Sequence, residues 1–344
     1  MNSNYKQREL DLMSPFKTYM MLLVVVIHST ALWTGKWFGT PAMESHILGS
    51  SSLWLGTFCV PAFFFASGYI YSYLKRETKR YINSKFVIKR KAQRLLVPYC
   101  FISFVWCAPV WALINGPEEI VQKFVLGASP SQLWFLLALF WVFVIAEALY
   151  SLFPHLMQSN KFVLVSSVAL YCIGIVLGKL MPMDYWQLAS GFQYLIFFQF
   201  GYVFRHSNTG SFWETSPFVF IVADGTLLML ESYCSLIGGG IGHAAAIAFA
   251  LLTRFAGVLL ALSILPRLNA LSNRIKGGVL ERDSLTVYLF HQQLIWAVLL
   301  VINCPGIPPL LVAVLCFVFS LSVSLLIAEV LGRYRLTRYL LGQK

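Results

Sequence analysis

The sequence predicts an all-α fold: a polytopic integral membrane helical bundle of about ten transmembrane helices, with N- and C-termini cytoplasmic. Two observations carry the prediction. First, ten apolar segments recur along the chain, at 16–34, 53–74, 95–114, 131–153, 161–180, 190–205, 216–236, 242–266, 284–303 and 308–332. Most approach the roughly 20 residues that cross a hydrocarbon core, and 190–205 is the shortest. Second, 22 of the 26 Lys and Arg residues fall in alternate gaps between these segments, which is the positive-inside pattern of an even number of spans. Composition agrees. Only 12% of residues are charged, against about a quarter in soluble domains, so the apolar surface exceeds what a soluble core would need.

The cations set the orientation. One side carries Lys6, Arg8 and Lys17, then the run from Lys75 to Arg94, then Lys161, Arg205, Arg267, Arg274, Lys276, Arg282, Arg333, Arg335, Arg338 and Lys344. The other carries Lys36, Lys123 and Lys179, and Arg254 lies inside a span. A shift of one span would destroy this alternation. Helices are the spanning elements, because each run is too long and too uniformly apolar for the alternation of a barrel strand. The first run, Thr18 to Trp33, follows cations as a signal peptide does; lacking a small-residue cleavage site, it reads as a retained first span. Residues 1–344 read as a single integral membrane domain, with a tight outer turn at Gly238, Gly239 and Gly240.

The net charge of +12 sits in short juxtamembrane loops, which favours membrane lipids and anionic cytoplasmic ligands as partners and argues for no nucleic acid. Seven scattered cysteines read as buried thiols. They form no CxxC pair, and no Cys/His cluster suggests a metal.

Five stretches carry candidate chemistry. His28 follows Lys17 by 11 residues, so on a helix both share a face, about 16 Å apart along the axis. A cation would stand at the cytoplasmic surface below an imidazole near mid-membrane. This suits a ligand with an anionic head and a reactive group pushed inward. Equally, His28 could be a lone histidine bonded to a neighbouring helix, with Lys17 marking topology. The segment Val60 to Tyr69 contains Pro61, which frees a backbone carbonyl, and the small residues Ala62 and Ala66. Ser67 and Gly68 there would admit a substrate or a neighbouring backbone. Basic residues at 85/89 and 90/94, within a segment ending at Tyr99, form helical rows able to hold phosphates, although topology alone also accounts for them. Leu133 to Leu136 open the fourth span, where Trp134 suits an aromatic belt. The ninth span opens Ser284-Leu285-Thr286-Val287-Tyr288-Leu289-Phe290-His291-Gln292-Gln293, with His291 about two turns in, and its His-Gln-Gln cluster is unsuited to lipid. Glu147, Asp224, Glu231, Arg254 and Glu329 also lie in spans. Asp224 and Arg254 are candidates for a structural pair, Glu147 and Glu329 for interfacial positions, and any of the acids for the partner of His28.

Taken together these stretches resemble acyltransferase family 3, integral membrane enzymes that O-acylate carbohydrates. The resemblance runs over nearly the whole chain in the family's order. Lys17 and His28 match the arginine, ten residues, histidine motif, and Phe64 to Tyr69 carry the Phe-Phe-x-x-Ser-Gly-aromatic motif displaced by one residue inside the Phe triplet that starts at Phe63. Lys91 to Tyr99 match the basic Arg-Leu-Leu-x-Pro-Tyr stretch, Leu133 to Leu136 match Leu-Trp-Phe-Leu, and Tyr288 to His291 match Tyr-Leu-x-His. Departures are Lys17 for arginine, Lys91 in the basic-x-x-Arg pair with Arg94, and Gln132 where many members carry histidine. A lysine lacks the guanidinium fork, so anion binding at position 17 is looser.

The resemblance implies an O-acetyltransferase of the cell inner (cytoplasmic) membrane. Acetyl-CoA, or another acyl-CoA, would be the donor substrate, with no bound cofactor and no metal. The acceptor would be a cell-surface or lipid-linked carbohydrate. Lys17, Lys91 and Arg94 would bind the donor phosphates, and His28 would be the catalytic base, a role that suits imidazole near neutral pH, or would carry the acyl group transiently. Ser67, Trp134 and His291 would position the acyl group or the acceptor. The rival reading is a polysaccharide or lipid-linked sugar transporter or flippase, and a weaker one is a structural subunit of a glycan synthase. Against transport, the chain shows no inverted repeat.

Overall fold

Each apolar run becomes a helix because a chain in lipid must satisfy its backbone hydrogen bonds within itself. The computed structural model describes residues 3–35, 37, 39–265 and 278–343; residues 266–277 are not described. Lys36, Arg267, Arg274, Lys276 and Lys344, and the side chains of Lys6 and Arg8, therefore lie outside the described residues. All regular structure among the described residues is helical.

Ten long helices follow the ten sequence segments: α1 (Ser3–Thr30), α2 (His46–Ser72), α3 (Ser84–Ile102), α4 (Trp134–Leu152), α5 (Asn160–Leu180), α6 (Leu188–His206), α7 (Pro217–Ile237), α8 (Gly239–Ile264), α9 (Val279–Ile302) and α10 (Pro309–Leu331). Helix α3 continues through a π-helical turn, Ser103–Cys107, into Ala108–Asn115. Nine spans among the described residues are long and apolar enough to cross a membrane. The helix outside that set is α6, the segment shortest in sequence. At 19 residues it is about 28 Å long. It is buried along much of its length, from Leu195 to Arg205, so protein rather than lipid surrounds it and Gln193 and Gln199 are tolerated.

Two helices, α1 and α3, start more than ten residues earlier than hydropathy alone indicates. Helix α1 begins at Ser3 because its first turns dock on the bundle. Buried Glu9 accepts hydrogen bonds from Tyr69 Oη (2.7 Å), Thr209 Oγ1 (2.5 Å) and Trp213 Nε1 (2.8 Å). Helix α3 begins at Ser84, capped by the Asn83 side chain accepting from Phe86 N at 3.2 Å, so the basic run forms its first turns.

Helix α6 lies against α2, α4 and α5, while α1 packs on α2, α9 and α10. The α2–α6 crossing explains the Ser67-Gly68 pair. A Cβ at Gly68 would lie 1.8 Å from the Phe198 carbonyl oxygen, and one at Gly201 would lie 2.0 Å from that of Phe65. The two backbones meet where each lacks a side chain. Gly68→Val is expected to cost at least the ~1–3 kcal/mol typical of overpacking, read as a lower unfolding temperature of the purified protein. Gly225→Ala, whose Cβ meets nothing within 4 Å, is the matched control and should leave that temperature unchanged. Gly238 and Gly239, both with φ of +68°, turn α7 into α8 as the triglycine predicts.

Three sequence expectations change. Cys59, Cys107 and Cys316 are buried, but Cys100 and Cys172 are exposed, because an apolar span can turn a thiol to lipid as readily as to the core, and Cys304 is exposed in the loop between α9 and α10. Glu147 is fully buried rather than interfacial, and its Oε2 accepts from Lys75 Nζ at 2.6 Å. Asp224 and Arg254 do not pair. Asp224 Oδ2 instead accepts from Trp54 Nε1 at 2.7 Å, on the neighbouring α2. Glu329 does sit at an exposed helix end, 3.2 Å from Arg282.

Candidate functional site

His28 and His291 are 263 residues apart in sequence and meet through the packing of α1 on α9. His28 Nδ1 and His291 Nε2 are 3.0 Å apart, with ring centroids 4.8 Å apart. The hydrogen-bond network assigns the protons. His28 Nδ1 lies 2.9 Å from the Val24 carbonyl oxygen one turn back, and a carbonyl only accepts, so this nitrogen carries hydrogen. His291 Nδ1 lies 2.8 Å from the Tyr288 carbonyl and 3.1 Å from that of Val287, and also carries hydrogen. In the neutral ring, His291 Nε2 is then an acceptor, and His28 Nδ1 donates to it. One lone pair remains, on His28 Nε2.

The surroundings hold this pair in place. His291 is fully buried, as are Gln292 and Gln293, which places the polar cluster of α9 inside the bundle as its sequence requires. Gln132 clamps α9 to the start of α4. Its Nε2 donates to the Leu289 carbonyl and to Gln293 Oε1, both at 2.8 Å, and Gln293 Nε2 returns a bond to Gln132 Oε1 at 3.0 Å. Tyr288 Oη donates to the Gln132 carbonyl. The glutamine that departs from the family's histidine therefore acts through α9, the helix that bears His291.

His28 lines a cavity of about 430 Å³ on the outer side of the bundle, together with Thr34, Trp37, Ser52, Tyr194, Glu231 and Arg254 among others. The Trp37 ring stands 6.0 Å from the His28 ring. About three turns back along α1, the charges of Arg94 and Glu281 act on Lys17, and those of Arg94, Lys17 and Arg90 act on Lys91. Lys17 and Lys91 are half-buried and Arg94 is exposed. The Lys91 ammonium sits 3.7 Å from the centroid of the Phe143 ring, turned toward the bundle. Ser14 donates to Glu281 one turn before Lys17, which ties α1 to the start of α9. Lys17, at the middle of α1, and His28, near its C-terminal end, thus stand about 16 Å apart along one continuous helix.

The structure groups Lys17, Lys91 and Arg94 about three turns of α1 away from the meeting of His28 and His291. Ser67 is half-buried beside Gly68 and outside the cavity lining. Trp134 stands outside that lining and packs against Tyr194, which belongs to it, with 5.4 Å between ring centroids. Sequence reasoning sought an acid to orient His28 and did not pair it with His291. It assigned Tyr194 no role, and read Arg254 as a structural partner of Asp224. A charged residue within an apolar span was the one available signal for Arg254.

A family model described as an acyltransferase domain matches residues 16–329. The chain therefore belongs to acyltransferase family 3, and is a multi-pass membrane acyltransferase. No curated protein and no solved structure matches it significantly.

Proposed function

We propose that the protein moves an acetyl or similar short acyl group from cytoplasmic acyl-CoA to a hydroxyl of a cell-surface or lipid-linked carbohydrate. The observation that carries this reading is the directed pair of imidazoles, which leaves His28 Nε2 with a lone pair in a residue that lines an outward cavity. Lys17, Lys91 and Arg94 hold the donor's phosphates at the cytoplasmic end, and the pantetheine arm carries the thioester along α1. The acceptor enters from the outer cavity.

His28 Nε2 removes the proton of the attacking hydroxyl as its oxygen bonds to the thioester carbonyl carbon. The C–S bond then breaks, the sulfur leaves as thiolate, and the proton held on His28 returns to it, giving ester and free CoA. While His28 is charged, its Nδ1–H continues to donate to His291 Nε2 and the Val24 carbonyl, so the charge forms against acceptors already in place. His291 positions His28 and disperses its charge without touching substrate. Ser67 and Trp134 support the acyl and acceptor paths through α2 and Tyr194.

The test is purified protein with radiolabelled acetyl-CoA and a panel of glycans, read as label in the glycan. Transfer that needs no acyl-CoA, or glycan movement without label, would replace this reading with transport. Lys17→Ala is expected to weaken acetyl-CoA binding by roughly tenfold, as for loss of a charge-assisted phosphate contact, and Lys17→Arg to retain or tighten it. Equal affinity for both variants removes Lys17 from the donor site.

A further inference from the structure

Arg254 lies 15 residues into α8, about 22 Å along its axis, at a depth where a charge needs a partner. Its sequence-expected partner, Asp224, is engaged by Trp54. Among the described residues no hydrogen bond or ion pair reaches its guanidinium. Glu231 lines the same cavity without closing to ion-pair distance. Guanidinium stays charged at any working pH and presents a planar fork of donors. An unpaired fork on the wall of a small-molecule-sized cavity is a recognition element.

We infer that Arg254 binds an oxyanion of the acceptor, so that the protein acylates an acidic sugar bearing a carboxylate or a phosphate. The inference rests on the acceptor entering the outer cavity, as proposed above. The fork matches the two oxygens of either anion, and charge-assisted bidentate bonds strengthen where water is scarce. Tyr194 offers an aromatic face beside it, and Ser52, Thr57 and Thr34, whose hydroxyls donate to the carbonyls of Ile27, Trp54 and Ala31, offer their oxygens as acceptors. Glu231 accepts from ring hydroxyls and repels a second anion, which limits the site to one acidic group. Because His28 lines the same cavity, anchoring the anion on Arg254 presents another hydroxyl of the same sugar to the imidazole. Arg254 is therefore a specificity-determining residue.

The test uses the full-length protein in phosphatidylcholine nanodiscs, with methyl β-D-glucuronide, methyl β-D-glucoside 6-phosphate and neutral methyl β-D-glucoside as probes. Binding is titrated by ligand-observed NMR, and transfer is followed in parallel with labelled acetyl-CoA. At least one acidic probe should bind about tenfold or more tighter than the neutral sugar. Arg254→Gln should bring that ratio close to one, and Arg254→Lys should give an intermediate ratio. Wild-type protein that binds all three probes equally overturns the inference without any variant, as does an unchanged ratio in Arg254→Gln. Displacement of the acidic probe by equimolar dihexanoyl phosphatidylglycerol would assign the guanidinium to lipid headgroups and also overturns it. If no acceptor is labelled, the acyl-transfer reading fails while the titration still decides the role of Arg254.

Discussion

His28→Ala is expected to lower the turnover of acyl transfer by roughly 10²–10⁴, the range contributed by a positioned general base. Acetyl-CoA affinity should hold, because the proposed donor residues Lys17, Lys91 and Arg94 stand about three helical turns from the imidazole. The companion result concerns His291. Among the described residues, its Nε2 accepts the only side-chain hydrogen bond made by His28 Nδ1, at 3.0 Å. His291→Leu removes that acceptor from a fully buried position and frees the His28 ring to turn. It should reduce turnover by a smaller factor and shift the pH profile of turnover. His291→Gln supplies a side-chain oxygen and should restore part of both. A purely structural His291 would instead lower stability in both variants and leave the pH profile of the remaining activity unchanged. Full activity in His28→Ala would dismiss the catalytic account.

The second large effect is on stability. Lys75 and Glu147 are both buried and joined at 2.6 Å, and Tyr71 Oη donates to the other carboxylate oxygen at 2.7 Å. The Lys75 ammonium also lies 4.4 Å from the centroid of the Tyr150 ring. Lys75→Met leaves a buried carboxylate without its cation, which costs about 3–5 kcal/mol. The purified variant should unfold at a distinctly lower temperature, or accumulate poorly in the membrane. Adding Glu147→Gln removes the stranded charge while an amide oxygen still accepts from Tyr71, so the double variant should recover much of the loss. If the double variant is no more stable than Lys75→Met, the ion pair is not the source of the effect.

Lys75 also illustrates how far hydropathy and charge patterns reach. In sequence it is one of nine cations between the second and third spans and marks orientation. In the structure it lies in the π-helical turn Tyr73–Glu77, which carries it into the bundle. Arg205 behaves alike. Counted by pattern as a juxtamembrane charge, it is buried and bonds Glu77 through two nitrogens at 2.7 Å and Tyr69 Oη at 2.9 Å. Charge counts register which side of the membrane a residue occupies, and that was enough to orient the helices. They do not register whether it faces lipid, water or another helix.

The sequence alone determined the helical class, the number and order of the long helices, and the family. These follow from local and one-dimensional properties: the length of apolar runs, the alternation of loop charge, and motifs read in order. It also singled out Lys17, His28, Lys91, Arg94 and His291 as separate elements. Only the tertiary structure decided that His28 meets His291, that Gln132 clamps the helix bearing His291, and that Arg254 faces the cavity rather than Asp224. The physical reason is that hydropathy reports how much apolar surface a helix has, not which way each side chain points. Azimuth and depth are set by packing between helices distant in sequence, such as the meeting of Gly68 and Gly201 backbones that seats α2 on α6.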